Sequence, residues 1–157
     1  MQLSSIFESM ADSGLAHTIT ESSYMVGLLS SVHMLGLTLI VGSSIVVCLR
    51  SFGLLLPEQP LSDVMRPAGR AVLLGFSISA VTGLLMFTPR AMSASENPVF
   101  QTKMLLVAAA IVFQFTLFRY IARGGGERVL WRLLSGAFGV ALWFAVAFYG
   151  VLFTVFE

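Results

Sequence analysis

The chain is poor in charged residues. Only 11% of its 157 residues are Asp, Glu, Lys or Arg, whereas an average soluble domain carries about 25%. Hydrophobic residues make up 57% of the chain, and the mean hydropathy is +0.90. A core built from so short a chain is too small to bury this much apolar surface, so we expect the excess to face lipid. The net charge of +1 gives no basic footprint of the kind that binds nucleic acid.

Chemically reactive residues are also scarce. Cys48 is the single cysteine, which excludes an intrachain disulfide, and His17 and His33 are the two histidines. The sequence contains no HExxH, CxxC or Ser-His-Asp pattern. The run Gly124–Gly126 follows an apolar helical segment instead of a strand, so it does not predict a phosphate-binding loop. We therefore expect a protein that is not an enzyme.

What the chain does contain is long apolar runs, and four of them predict membrane spans at about 24–49, 71–87, 98–121 and 133–156. About 20 apolar residues in helical form cross a bilayer core. Prolines and charges predict a loop over Ser51–Arg70, and a polar loop follows Arg90. Asn97-Pro98 is typical of a helix start, with Asn as the cap and Pro in the first turn. The sequence thus predicts an all-α, integral membrane, antiparallel four-helix bundle, with residues 1–157 as one domain.

The first 22 residues differ from these runs. Leu3, Ile6, Phe7 and Met10 recur at helical spacing among polar residues, which predicts a short N-terminal amphipathic helix in the membrane interface. The segment Met1–Glu21 contains acidic residues but no Lys or Arg, so we expect no cleaved secretory signal.

The distribution of cationic residues predicts the orientation. Of the nine Lys and Arg residues, all but Arg90 and Lys103 lie in the segments 50–70 and 119–132. Because Lys and Arg are enriched in cytoplasmic loops, we expect both termini to face away from the cytoplasm. In a bacterium this places the chain in the inner (plasma) membrane with periplasmic termini.

Small residues indicate where the helices pack, because helices associate in lipid through close backbone approach and polar contacts. Three sets share a helix face: Ser30, His33, Gly36, Ile40 and Ser44 on the first span, Gly75, Ser79 and Gly83 on the second, and Ala137, Ala141 and Ala145 on the fourth, with Ser135 and Gly139 beside them. Gln114 lies in the middle of the third span, and we expect it to bond to another helix.

His33 is the main candidate for function, because an ionisable group within a span is costly and is by default a functional hypothesis. One interpretation is axial ligation of a haem b in the bundle. A second histidine at this depth is missing, since His17 is too shallow, so Met34, Met86 or Met104 would supply the other ligand. A quinone is a further candidate ligand. The alternative is a neutral histidine hydrogen-bonded across a helix interface.

Copper is another interpretation, because thioether and imidazole ligands suit Cu(I) and the chain has eight methionines. The methionines are scattered, however, and scattered methionines usually fill gaps in a core. Asn97 and Lys103 lie where the third span enters the membrane from the outer side. They are candidates for binding an anionic headgroup, although snorkelling alone accounts for Lys103.

Several motifs resemble a family of small bacterial four-span membrane proteins that is known as a domain of unknown function (DUF6644), and more loosely copper-resistance protein D. The motifs are Glu21-Ser22-Ser23, His33-Met34-Leu35-Gly36-Leu37, Val41-Gly42-Ser43, Leu49-Arg50-Ser51-Phe52-Gly53-Leu54, Thr82-Gly83-Leu84-Leu85-Met86-Phe87, and Asn97-Pro98-Val99-Phe100 with Lys103. Two positions depart from the family pattern: Cys48 replaces an acidic residue, and Arg119 replaces a histidine at the end of the third span.

The resemblance implies a four-span fold without a settled activity. Together with the residues around His33, it favours a non-enzymatic membrane module, either a subunit of a redox or transport complex or a small homo-oligomer. Its pocket near His33 would hold a haem, a quinone or a metal. The alternatives are a copper-handling or transport protein similar to copper-resistance protein D, and a purely structural or assembly factor.

Overall fold

The protein is helical throughout the part of the chain described by the computed structural model, which covers residues 2–122 and 129–155. No strand occurs within those ranges, which confirms the all-α prediction. In chain order the elements are α1 (Gln2–Ala11), α2 (Gly14–Glu21), α3 (Ser23–Ser51), α4 (Leu61–Phe87), a 3₁₀ turn (Thr88–Arg90), α5 (Ala91–Glu96), α6 (Pro98–Ala122) and α7 (Val129–Val155).

Three helical segments are long and apolar enough to cross a membrane: Ser23–Ser51, Leu61–Glu96 and Pro98–Thr116. A fourth apolar stretch, Gly136–Leu152, is shorter and lies within α7. These helices leave most of their apolar surface uncovered, since only 22%, 28% and 11% of the three most apolar windows are buried. Such helices are typical of a membrane protein whose outer surface meets lipid.

The closest helix contact joins α3 and α4. A methyl group added to Gly75 would lie 2.6 Å from the carbonyl oxygen of Gly36, and one added to Gly36 would lie 2.8 Å from the carbonyl oxygen of Gly75. The expected small-residue face of the first span is buried here, with Gly36, Ile40 and Ser44 inside. Gly75 and Ser79 of α4 are buried opposite it. Close approach of backbones is the usual basis of helix association in lipid.

The beginning of α4 corrects one prediction. Ser51–Arg70 was expected to be a loop, but α4 begins at Leu61 and contains Pro67. Met65 and Ala68 are buried against Val47 of α3, so packing on α3 outweighs the backbone hydrogen bond that a proline removes. Only the residues between Ser51 and Leu61 connect the two helices. Arg50 organises this connection by donating to the carbonyl oxygens of Pro57 and Gln59.

The segment after Arg90 is a second correction. It was expected to be a polar loop, yet Ala91–Glu96 forms the short helix α5, because Ala91 and Ala94 are buried there. The helix start at Asn97-Pro98 is confirmed: the Asn97 side chain accepts a hydrogen bond of 2.9 Å from the backbone N–H of Val99. The helix α1 packs against this region.

The packing face of α7 is the third correction. Ala137 and Ala141 were expected to pack against a neighbouring helix, but both are exposed and Ala145 is half-buried, whereas Gly139 beside them is buried as expected. The other buried residues in the described part of α7 are Gly136, Trp143 and Val146. Gly136 faces Cys48 of α3 and Gly139 faces Phe113 of α6, and glycine allows a closer approach than alanine does. Trp143 and Val146 join Ile40 and Ala110 in the main core cluster.

These contacts set the order of the long helices. The helix α4 packs mainly on α3, α3 also packs on α7, and α7 packs on α6, whereas α4 and α6 touch at few positions. A seam therefore separates α4 from α6, and both cavities that matter below border it.

We predict that Gly75→Ala lowers the free energy of unfolding by about 1–3 kcal/mol, because the added methyl overpacks the α3–α4 contact. Gly42→Ala is the matched control, since a methyl group there meets nothing within 4 Å and alanine is the better helix former. Unfolding of the two variants by SDS in mixed micelles, followed by circular dichroism, measures the difference. Equal stability of the two variants would contradict the contact.

Candidate functional site

His33 is half-buried on α3 and bonds to α4 through its ring. Its Nδ1 lies 3.0 Å from the hydroxyl oxygen of Thr82, and its backbone carbonyl accepts a weaker bond of 3.4 Å from the hydroxyl of Ser79. A methyl group on Gly83 would lie only 3.2 Å from Cε1 of the ring. The small residues of α4 therefore leave space for the imidazole and hold it in one orientation.

The hydroxyl of Thr82 determines which ring nitrogen carries the proton. It donates to the carbonyl oxygen of Ile78 at 2.7 Å, one helical turn earlier. A hydroxyl has a single proton to donate, so Nδ1–H of His33 donates to the Thr82 oxygen. In the neutral ring Nε2 then carries the lone pair, because the hydrogen bond of one nitrogen sets the role of the other.

Nε2 of His33 has no hydrogen-bond partner among the described residues. The residue lines two spaces that meet at its ring. The first, which we call the His33 cavity, has a volume of about 390 Å³ and is bordered by all four long helices. The second is a cleft of about 450 Å³ between α3 and α7. Both volumes lie in the range of small-molecule pockets, about 300–1,000 Å³.

The walls of the His33 cavity are almost entirely apolar. Aromatic side chains contribute much of the surface: Phe76 and Phe87 from α4, Phe100 from α6 and Trp143 from α7. Phe87 and Phe100 stack with their ring centroids 5.2 Å apart, and Phe7 of α1 packs edge-on against Phe87 at 5.9 Å. The aromatic residues close one end of the cavity.

Lys103 is the second polar group of the site. It lines both the His33 cavity and the cleft, and its side chain extends along α7, where a methyl group on Gly150 would lie 3.5 Å from Nζ. In the part of the chain that the structure describes, no carboxylate or hydrogen-bond acceptor pairs with this ammonium group. Half-buried charges usually have a partner, so Lys103 leaves an unmet requirement for an electron-rich group.

The structure separates the other candidate residues. Met104 lines the His33 cavity, whereas Met34 is 54% exposed and lines only the cleft. Met86 is half-buried near the end of α4 and borders neither space. Asn97 caps α6 through its side-chain oxygen. Met104 therefore shares the His33 cavity with His33, Met34 shares the cleft with it, and Met86 shares neither.

Sequence patterns missed Thr82 and Trp143. Thr82 is 49 residues from His33, and its only signal was its place beside Ser79 and Gly83 on the small face of α4. Trp143 is buried and donates from Nε1 to the side-chain oxygen of Gln114 at 3.2 Å. This bond confirms the expected contact of Gln114 with another helix.

Within residues 2–122 and 129–155, no group of three or more His, Cys, Asp or Glu side chains is placed to hold a metal ion. A metal at His33 would need thioether sulfur or a cofactor for its other ligands. The site thus presents one imidazole lone pair and one ammonium group within an apolar enclosure.

We predict that His33 is a neutral Nδ1–H tautomer, and that Thr82→Val makes the tautomers mix because the acceptor for Nδ1–H is lost. Nitrogen-15 NMR of protein with labelled histidine measures this, and a His17→Gln background leaves His33 as the only signal. Thr38→Val is the control, since that hydroxyl bonds only to the Met34 carbonyl oxygen. An Nε2–H tautomer in the parent protein would refute the assignment.

Comparisons with protein-family models, with curated proteins and with solved structures found no match to this chain.

Proposed function

We propose that the protein is a non-enzymatic membrane module whose His33 cavity binds a quinone. The observation that carries the proposal is that His33 and Lys103 border one apolar cavity, and neither Nε2 of His33 nor the ammonium group of Lys103 has a partner among the described residues. Buried polar groups without partners are costly. A ligand that satisfies both groups would remove that cost.

The quinol form of a quinone matches both groups, whereas the oxidised quinone matches the ammonium group of Lys103 alone. The ammonium group of Lys103 donates a hydrogen bond to a ring oxygen, and Nε2 of His33 accepts one from a quinol hydroxyl. The aromatic walls suit the ring. The long apolar tail fits the seam between α4 and α6, where the exposed side chains of Leu84 and Met104 border the cavity on its lipid side.

We propose the membrane arrangement that places this site in the outer half of the bilayer. The four long helices form an antiparallel bundle in a bacterial inner membrane, with both termini periplasmic and α1 in the interface. Two contacts support the antiparallel pairing of α3 and α4. His33 contacts Thr82, and Val47 packs with Met65, so a later residue of α3 lies beside an earlier residue of α4. The membership of the DUF6644 family stays part of this proposal, and it rests on the motifs quoted above.

Haem b is the second candidate, and the free lone pair on Nε2 of His33 favours it. A histidine that donates from Nδ1 to a hydroxyl or carbonyl oxygen presents Nε2 as a metal ligand. Met104 would be the available sixth ligand, and Lys103 would pair with a propionate. The same His33 and Met104 pair is the basis of the copper alternative.

The exposed apolar surface of the long helices also suits contacts with other membrane subunits or with further copies of this chain. A module that holds a quinone beside such surfaces fits a subunit of a redox or transport complex. The alternative is an assembly factor without any ligand. Purification of the protein, described next, distinguishes this role from ligand binding.

Purification in mild detergent separates these candidates. We expect a colourless protein without stoichiometric iron or copper, and quinone in the extract when its lipids are analysed by liquid chromatography. A Soret band that disappears in His33→Ala would instead assign haem b. Copper at one equivalent per chain would assign copper handling, and the absence of pigment, metal and quinone would leave a structural role.

We predict that decylubiquinone quenches the fluorescence of Trp143 in a Trp131→Phe background, because Trp143 borders the His33 cavity. Lys103→Met weakens binding about 10- to 100-fold, since a hydrogen bond from a charged group contributes about 1.5–3 kcal/mol. Met34→Leu is the control and retains binding, because Met34 lies outside this cavity. Equal affinity of the Lys103→Met and parent proteins would contradict the assignment.

A further inference from the structure

A second and larger cavity lies on the seam between α4 and α6, on the side away from His33. It has a volume of about 560 Å³ and is also bordered by α7. Phe76 and Trp143 line this cavity and the His33 cavity alike, so the two spaces meet at these side chains. We call it the Arg70 cavity, and nothing in the proposed quinone site uses it.

Two cations lie at the mouth of the Arg70 cavity. Arg66 and Arg70 are one turn apart on α4, and both are exposed and line the space. Neither has an ion pair or a hydrogen bond within the described ranges. The nearest acidic residue in sequence, Asp63, accepts a hydrogen bond of 3.3 Å from Ser62 instead. Among the described residues, the positive charge at this mouth is therefore uncompensated.

A buried amide lies deeper in the same cavity. Gln114 is only 5% exposed, and its oxygen accepts the hydrogen bond from Trp143. Its NH₂ group has no acceptor among the residues that the structure describes. An amide donor left unpaired at such burial is destabilising, so an acceptor within the cavity would be stabilising.

We propose that the Arg70 cavity binds a phospholipid with an anionic headgroup. The phosphate pairs with Arg66 and Arg70, and the amide of Gln114 donates to an ester carbonyl of the lipid. The wall continues from Arg70 to Phe76 for roughly 9 Å at 1.5 Å per residue. Its apolar residues Leu73, Phe76 and Ile111 accept the start of an acyl chain.

Charge and shape together favour a lipid over a soluble anion. A free phosphate would satisfy the two arginines but would leave the amide of Gln114 and the apolar wall uncovered. Basic pockets between membrane helices are known to bind acidic headgroups. The seam also opens toward the bilayer, because α4 and α6 touch at few positions.

The test uses the full-length protein, delipidated in a mild non-ionic detergent. Dioleoyl phosphatidylglycerol is expected to raise its Tm in a saturable way, and dioleoyl phosphatidylcholine and inorganic phosphate are expected not to. An ether-linked phosphatidylglycerol lacks the ester carbonyls. It is expected to bind about 2- to 10-fold more weakly, because the hydrogen bond from the Gln114 amide is lost. Equal shifts from phosphatidylcholine or from inorganic phosphate would overturn the proposal.

Two single-charge variants locate the site. Arg66→Gln and Arg70→Gln are each expected to weaken phosphatidylglycerol binding about fivefold, the effect of about 1 kcal/mol per cation near the headgroup. Lys103→Gln removes one positive charge from the other cavity and is expected to retain binding. Equal losses in all three variants would show general charge attraction and refute the site.

The lipid selectivity of the parent protein tests the proposal even where one variant fails to fold. The quinone proposal is tested by Lys103→Met, because Lys103 lines the His33 cavity and not the Arg70 cavity, whereas Trp143 lines both. Failure of one proposal therefore leaves the other intact.

Discussion

The backbone contact between Gly36 and Gly75 is the constraint on which the rest of the structure depends. It holds α3 and α4 closer together than any larger side chain would allow. One turn away along α3, this closeness brings the hydroxyl of Thr82 to the ring of His33. The hydrogen bond then holds the ring through Nδ1 and leaves Nε2 without a partner among the described residues. The tautomer of His33 thus depends on the close helix packing that Gly36 and Gly75 allow.

The same tight pairing leaves a seam elsewhere. Because α4 is packed on α3 and α6 on α7, α4 and α6 make few direct contacts, and the space between them remains open along the bundle. Polar residues with an unsatisfied group among the described residues border that seam on both sides of Phe76: Lys103 and His33, through Nε2, in one cavity, and Arg70 and Gln114, through its NH₂ group, in the other. In lipid an unsatisfied polar group is expensive, and the two proposed ligands would satisfy these groups.

The sequence predicts local features of this fold well and its long-range pairings poorly. The small-residue face of α3 and the cap at Asn97 follow from helical spacing and from side-chain chemistry over a few residues. The partner of His33 does not follow from local spacing, because α4 carries several hydroxyl residues. Only the register of α4 against α3 selects Thr82. The extra turns of α4 before Arg70 depend on packing against Val47, which outweighs the signal from Pro67. The buried face of α7 likewise depends on Cys48 and Phe113 of neighbouring helices.

The central claim is that Nε2 of His33 is a free acceptor in a cavity that a quinol enters. Nitrogen-15 NMR of His33 in lipid nanodiscs, recorded during titration with decylubiquinol, tests it most directly. We predict that the Nε2 resonance shifts with saturation while Nδ1 stays protonated and bonded to Thr82. An Nε2 resonance that is unchanged at saturating quinol, or an Nε2 that is already protonated before quinol is added, would refute the assignment.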